Sequence, residues 1–169
     1  PTNASQSDVY QVRYASHGDY ELIVLSPGTV QEMYELTIRA FNLSERYRTP
    51  VILAADGILG QMMEPLFLNP EIEIEQRKLP RVGPQDYKPY QVLDEDLVPD
   101  MAIAGTEYDF YATGLTHDEM GNPRMDPEGA ETLITRLCTK IQRARRQIND
   151  WETYRMEDAT HVLMSYGIN

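Results

Sequence analysis

A single cysteine, Cys138, serves the whole chain. No disulfide can therefore close within it, and no cluster that needs four thiolates can be held by it alone. Such economy suits a reducing, cytoplasmic compartment. Cys138 lies in an apolar run with Leu133, Ile134, Leu137 and Ile141, where a buried small side chain is the expected role. Long apolar runs are missing too: no stretch approaches the roughly 20 residues of a membrane span, and no signal peptide is visible. Cations are scarce, with 15 Lys+Arg against 27 Asp+Glu and a formal charge of -12. That balance repels a phosphate backbone and a polyanionic membrane face, so neither nucleic acid nor membrane is an expected partner. The chain has no Gly-x-Ser-x-Gly elbow, no phosphate loop and no Gly-x-Gly-x-x-Gly fingerprint. What it does have is 169 residues, 41% of them hydrophobic, enough for one domain with a core.

The clearest pattern spans residues 21–63. Glu21-Leu-Ile-Val-Leu-Ser26 is a short apolar run bounded by Pro27-Gly28 and reads as a buried strand. Thr29 stands three residues before Glu32, the spacing of a capping box. A helix is expected over about Val30 to Tyr47, with Val30, Met33, Tyr34, Thr37, Ile38 and Phe41 on its apolar side and Glu32, Glu35, Arg39 and Arg46 facing water. Pro50 restarts the chain, and Val51-Ile-Leu-Ala-Ala55 reads as a second buried strand ending at Asp56-Gly57. Strand, helix and strand within so short a span make a βαβ unit with parallel strands. Near-continuous apolar strands imply a sheet covered on both faces. The expected class is α/β, the C-terminal half of a doubly wound domain.

Residues 64–127 change character, holding eight of the eleven prolines and thereby excluding long helices. Glu71–Glu75 and Thr106–Tyr111 alternate with period two, so extended edge segments are expected there. The whole reads as an excursion that wraps a neighbouring surface. A helix follows from Pro127 or Glu128 to about Trp151. Its stripe of Leu133, Leu137, Ile141, Ala144, Ile148 and Trp151 fits packing on its own domain, with a two-helix seam as the alternative. Lys140, Arg143, Arg145 and Arg146 gather towards its negative end. Asp158-Ala159 then leads into His161–Asn169, which reads as the first strand of a further α/β unit. The chain accordingly reads as a segment of a longer polypeptide. Its parts are 1–65 (the α/β half-domain), 66–126 (the excursion), 127–158 (a helical connector) and 159–169 (a first strand).

Chemistry-bearing residues are few. His17-Gly-Asp19 and His117-Asp-Glu119 pair a histidine with carboxylates, but neither supplies three ligands at a recognisable spacing, and turn chemistry is the better reading of both. His161 is expected to be structural. Gly57-Ile-Leu-Gly60 reads as a tight turn after a strand. Ligands of doubly wound sheets gather beyond the carboxyl ends of strands, which places Asp56 and Gly57 near a functional edge or subunit interface. Met62 and Met63 suit an adaptable partner surface or the core equally.

Longer strings carry more. Ser5-Gln-Ser-Asp8, His17-Gly-Asp19, Leu22-Ile-Val-Leu-Ser-Pro27, Val30-Gln-Glu-Met33 and Ala40-Phe-Asn-Leu-Ser-Glu-Arg-Tyr-Arg-Thr-Pro-Val51 closely resemble the alpha subunits of 2-oxoacid:ferredoxin oxidoreductases. So do Asp56-Gly-Ile-Leu-Gly-Gln-Met-Met-Glu-Pro65, Ala112-Thr-Gly-Leu-Thr-His-Asp-Glu-Met-Gly-Asn-Pro123, Glu157-Asp-Ala and Ser165-Tyr-Gly167. The agreement runs in order along nearly the whole chain and is weakest over 66–100.

The resemblance implies a pyrimidine-type domain binding thiamine diphosphate, followed by a transketolase-C-terminal-like domain. It implies an enzyme that oxidatively decarboxylates a 2-oxoacid to acyl-CoA with ferredoxin as acceptor. Thiamine diphosphate and Mg2+ would belong to the whole complex and an iron–sulfur cluster to a partner, the beta subunit, with small gamma and delta subunits as further partners. The family's catalytic acid, its Tyr-Pro-Ile-Thr-Pro-like motif and its substrate loop precede the matched region, so none maps here. Ser5, Gln6, Ser7 and Asp8 are the nearest matched residues, with Asp8 either capping a flanking helix or touching cofactor or substrate. Segment 112–123 resembles the 2-oxoglutarate enzymes, while 56–65 suits the branched-chain group equally. A non-catalytic assembly module that keeps the fold is the alternative, and a flavodoxin-like nucleotide binder is a third reading that lacks its phosphate loop. The isolated chain is expected to bind no thiamine diphosphate tightly, and a micromolar signal in titration calorimetry would overturn that.

Overall fold

The computed structural model describes residues 7–14 and 20–168. Its elements are α1 (Ser7–Tyr14), β1 (Ile23–Leu25), α2 (Val30–Tyr47), β2 (Val51–Leu53) and α3 (Pro127–Ile148), with single 3-10 turns at Leu59–Gln61 and Pro84–Asp86. β1 and β2 pair in parallel, Ile23 opposite Val51 and Leu25 opposite Leu53, so the βαβ unit forms as expected. Both strands are shorter than the apolar runs that encode them, because a two-stranded ladder lasts only where the two runs lie side by side. One further bond extends it, from the Ala54 amide to the Leu25 carbonyl (2.8 Å).

α2 starts where its cap requires. The Glu32 amide donates to Thr29 Oγ1 (3.1 Å), and the Glu32 carboxylate turns back to accept from the Gly28 amide (2.6 Å), a capping box displaced by one residue. The buried face differs from the expected one. Leu43 and Tyr47 are buried, with Leu36 and Ala40 packed beside them, whereas Phe41 is 70% exposed. The helix carries two apolar stripes, and the one at 36, 40, 43 and 47 meets the sheet and α3. These residues join Ile23, Leu25, Val98, Ile141, Ala144 and Ile148 in one core. α3 is thus packed on its own domain, as the simpler reading held.

α3 is capped by Asp126, whose carboxylate accepts from the Gly129 amide (2.9 Å), with Pro127 in the first turn. It ends at Ile148, not Trp151, and Trp151 is exposed. The cause is Arg39 on α2, which donates to the Ile148 carbonyl (2.9 Å) and to Asp150 (2.5 Å) and draws the chain off the helix axis.

The excursion lies along α2. The Val30 amide donates to Glu64 (3.0 Å). The Gln31 side-chain amide then brackets the Phe67 backbone with one bond in each direction (3.0 and 2.9 Å). Asn42 brackets residues 73–75 in the same way (2.8 and 3.0 Å). Arg46 pairs with Glu75, and Arg77 holds Glu45 through two bonds (2.7 and 2.6 Å). This strap explains why Glu71–Glu75 forms no strand: side chains of α2 hold its backbone where a ladder would. Thr106–Tyr111 is not a strand either, being held by Tyr108, which donates to the Val82 carbonyl (2.8 Å) and stands edge-on to Tyr87. The excursion carries its own charged knot. Arg81 grips the buried Asp100 bidentately and also Asp94, and Lys78 bridges Asp94 and Asp96. Arg81 and then Lys78 hold the Asp94 carboxyl down at about 2.

The tail departs most from expectation. His161–Ile168 forms no strand, and Val162, Leu163 and Met164 stand exposed. A strand without a neighbour leaves its backbone groups unpaired, and none is offered among the described residues.

The basic run of α3 also splits. Arg145 and Arg146 occupy its last turn, but Lys140 is 3% exposed and serves a different helix. Its Nζ donates to the carbonyls of Tyr47 (2.6 Å) and Arg48 (3.2 Å) and to Thr49 Oγ1 (2.5 Å). Those carbonyls are the free C-terminal ones of α2. Burial, with Arg136 and Arg48 nearby, lowers the Lys140 pKa to about 8 from 10.5. Below about pH 8 both folded and unfolded chains carry this charge, and the cost of burying it is full. Between about 8 and 10.5 the unfolded chain holds the extra proton, so stability contributed at this site rises with pH. Lys140→Met, which strands buried acceptors, is expected to lower stability by about 2–3 kcal/mol. Denaturant titrations at several pH values should show wild type gaining on the variant through that window.

Candidate functional site

The sheet has two unlike faces. Ile23 and Leu25 point to the core, while Val24 points the other way into a cavity of about 630 Å³. α1 forms the far wall through Asp8 and Val12, and Leu22, Val24, Ile52 and Ala54 form an apolar floor. Ser26 and Asp56, just past the carboxyl ends of the strands, where doubly wound sheets hold ligands, also line it, as do Tyr166, Gly167 and Ile168 of the tail. The tail is seated by two glycines. A Cβ on Gly28 would overlap the carbonyl oxygen of Gly167, which itself has φ +68°.

The predicted residues distribute unevenly. Ser7 and Asp8 open α1; the helix begins at Ser7, so Asp8 is a first-turn residue and not its cap, and it lines the cavity. Ser5, Gln6 and His17 lie outside the described residues. Asp56 reaches the cavity, and its carboxylate accepts from the Ile58 amide (2.8 Å), so the turn at Gly57–Gly60 leads into one turn of 3-10 helix. Gly57 is exposed and Met63 is 99% exposed, with Met62 half-buried. Sequence reasoning missed Arg13, Tyr20, Glu21, Ser26 and the tail residues. Only Ser26-Pro27-Gly28, a turn after an apolar run, carried a readable signal for them.

The charges around this cavity decide what it can take. Among the described residues Arg13 is the one cation lining it and stands 3.6 Å from Glu21, while Asp8 and Asp56 add further negative charge. The N-terminus of α2, a ready-made anion site in principle, is filled by Glu32 and Glu64. Among the described residues no cluster of three or more His, Cys, Asp or Glu side chains could hold a metal ion. A diphosphate and its Mg2+ therefore find no match here. An apolar floor beside carboxylate acceptors fits the other end of thiamine diphosphate, a flat ring bearing N–H donors. A second cavity of about 240 Å³ at the end of α2 is lined by Arg48, Arg77 and Lys78, but Glu45, Asp94 and Asp96 already occupy two of those cations.

His117 lies in a packed turn. Its ring stands 4.0 Å from that of Tyr90, Nδ1 meets the Leu115 carbonyl (2.9 Å), and its backbone bridges to Pro123. Its Nε2 is buried without a hydrogen-bond partner among the described residues. Asp118 organises the turn, accepting from the amides of Met120 and Asn122 (2.9 Å each). His161 is exposed in the tail. Cys138 is half-buried in α3. Among the described residues no helix is long and apolar enough to cross a membrane.

A parallel βαβ core with its cavity at the strand ends is the architecture of a ligand-binding α/β domain. The family of pyruvate flavodoxin/ferredoxin oxidoreductases, in its thiamine-diphosphate-binding domain, matches residues 1–135, and the chain belongs to that family. It is 47% identical over 168 residues to the 2-oxoglutarate synthase subunit KorA of Methanothermobacter thermautotrophicus, covering 99% of this chain and 44% of that one. It is 52% identical over 167 residues to the ketoisovalerate oxidoreductase subunit VorB of Methanothermobacter marburgensis, covering 97% and 40%. The chain thus spans less than half the length of these relatives. Among solved structures, a 2-oxoglutarate:ferredoxin oxidoreductase from Magnetococcus marinus, with 2-oxoglutarate, coenzyme A and succinyl-CoA bound, superposes with a TM-score of 0.74 at 30% identity, over 89% of this chain and 27% of that one.

The paired glycines generate a direct test. Gly28→Ala should displace residues 165–168 and cost about 1–3 kcal/mol by overpacking, read as faster hydrogen exchange in the tail. Gly57→Ala, where a Cβ meets nothing within 4 Å, should leave exchange unchanged.

Proposed function

We propose that this chain is part of the alpha subunit of an enzyme that oxidatively decarboxylates a 2-oxoacid. The reaction joins the acyl group to coenzyme A, releases carbon dioxide, and passes two electrons to ferredoxin. What carries the reading is sequence agreement along almost the entire chain with subunits of two such enzymes. Bound thiamine diphosphate supplies the electron sink that loss of carbon dioxide from a 2-oxoacid requires. This chain's contribution is the apolar floor and carboxylate rim at the strand ends, which suit the aminopyrimidine end. Asp8 and Ser7 are its proximal residues, with Ser5 and Gln6 proposed beside them. The diphosphate, Mg2+ and the iron–sulfur cluster are assigned to the beta subunit, in keeping with the acidic cavity and the single cysteine. Small gamma and delta subunits complete the assembly, and the cytoplasm is its compartment.

Asp56, Gly57, Met62 and Met63 are proposed to meet a neighbouring subunit; Met63 stands almost fully exposed, and an unbranched thioether side chain suits an adaptable contact surface. Residues 159–169 are proposed to open a transketolase-C-terminal-like domain, in which the apolar tail would find strands to pair with. 2-Oxoglutarate is the favoured substrate, on the resemblance of segment 112–123 to the enzymes that use it. The 52% identity to a ketoisovalerate enzyme subunit supports a branched-chain 2-oxoacid as the second candidate. The competing reading is an assembly module that keeps the fold without cofactor chemistry.

The complete enzyme should reduce a viologen dye in a manner dependent on 2-oxoacid, coenzyme A and thiamine diphosphate. Its kcat/KM should be at least tenfold higher for 2-oxoglutarate than for 2-oxoisovalerate, and the reverse ratio reassigns the substrate. No rate above the thiamine-free control with any common 2-oxoacid establishes the assembly module instead.

A further inference from the structure

The outer side of α2 carries apolar surface that neither the core nor the cavity uses. The strap is pinned there at Glu64, whose carboxylate meets the Val30 amide. Its backbone is gripped again at Phe67 by Gln31 and at residues 73–75 by Asn42, two side chains about 16 Å apart along the helix. Residues 63–71 are exposed without a break, so the course is fixed while the side chains face water. Met63, Leu66, Phe67, Leu68 and Ile74 are all exposed, and so is Phe41, next to Asn42 on α2. Phe41 and Phe67, 70% and 71% exposed, together leave roughly 200–350 Å² in water on the usual size of an aromatic side chain. With Met63, Leu66, Leu68 and Ile74 added, the face reaches the size at which an exposed apolar patch marks an interaction surface.

The charges around this face have one sign. From Thr49 to Gln76 the chain holds no Lys or Arg and five carboxylates, Asp56, Glu64, Glu71, Glu73 and Glu75. The exposed Glu35 joins them from α2. Both cations of α2 are committed, Arg39 to Asp150 and Arg46 to Glu75, and Arg77, the next along the strap, holds Glu45. An acidic rim round an apolar centre selects its occupant by complementary charge. A second copy of this chain would set carboxylates against carboxylates. An added strand is refused as well, because Pro65 and Pro70 offer no N–H and Gln31 and Asn42 already hold the backbone on either side of them. What fits is side-chain docking by a different protein surface, apolar at its centre and lined with Lys and Arg.

We propose that the strap and the outer side of α2 form a docking face for another subunit of the same enzyme, one that presents an apolar patch ringed by lysine or arginine. Phe41, Phe67, Leu68 and Ile74 supply the area to be buried, and Glu71 and Glu73 fix register and steer encounter. Met63 joins this face to the contact proposed above for Asp56, Gly57 and Met62. The inference rests on the subunit reading above but not on catalysis, since a non-catalytic assembly module would use the face equally.

The test uses the full-length subunit and the assembled enzyme. The double variant Phe67→Ser with Leu68→Ser removes the apolar centre, and Glu71→Lys with Glu73→Lys reverses the rim. All four residues are exposed, so the separate subunit should unfold at the wild-type denaturant concentration in both variants. In the assembled enzyme each variant should raise the subunit dissociation constant about tenfold or more. Added salt should weaken wild-type association and strengthen that of the charge-reversed variant. Wild-type affinity in both variants overturns the proposal. Self-association of the separate subunit that Phe67→Ser with Leu68→Ser abolishes also overturns it, since the occupant is then a second copy. If the serine variant fails to fold, the charge-reversed variant decides alone, and unchanged affinity with unchanged salt dependence sinks the face. An enzyme that assembles through this face but turns over no 2-oxoacid counts against the proposed activity and leaves the face standing.

Discussion

The buried ammonium of Lys140 is the interaction on which most of this structure depends. A helix that ends inside a domain leaves carbonyl groups without partners, and α2 ends against the core. Lys140 reaches across from α3 to fill that gap, joining two elements some ninety residues apart in sequence. It fixes the corner from which β2 departs and so the register of β2 on β1. Arg48 completes the corner at a price in backbone energy, for it adopts φ 46°, a left-handed conformation that glycine occupies freely. Glycine would relieve the strain, but it could not reach Pro89 and Asp100. The excursion is thereby anchored to the same corner.

Around that corner the domain is one-sided. Its core occupies a single face of the sheet, and the opposite face floors the cavity. The two faces are separated by the alternation of three residues in β1, Ile23 and Leu25 inward and Val24 outward. Function and stability thus draw on different side chains of the same strand. The acidic rim and the occupied α2 terminus make this side of the sheet a poorer match for a diphosphate than for a flat ring.

The βαβ unit was legible because each of its signals is local: an apolar run, Thr29 three residues before Glu32, and Pro50 before the next run. Both ends of α2 followed from these signals alone. Its buried face did not, because Met33, Tyr34, Ile38 and Phe41 form as good a stripe as Leu36, Ala40, Leu43 and Tyr47. Choosing between them requires knowing where α3 lies. α3 ended early for a similar reason, an arginine on another helix. Period-two alternation at Glu71–Glu75 misled because side-chain amides can hold an extended chain as a ladder does. Of the residues lining the cavity, Asp8 and Asp56 could be named from position and resemblance. The tail's return to Gly28 was not, since no local pattern pairs two glycines so distant in sequence.

The strap along α2 has one more property. Gln31 and Asn42 grip it only through backbone N–H and C=O groups, which every residue but proline supplies alike. The side chains of residues 66–74 are therefore released from the task of attachment. That stretch can drift in sequence while its path stays fixed. An exposed ribbon of constant course and changeable face, bearing Phe67 and Leu68 outward, keeps its path whatever side chains it carries.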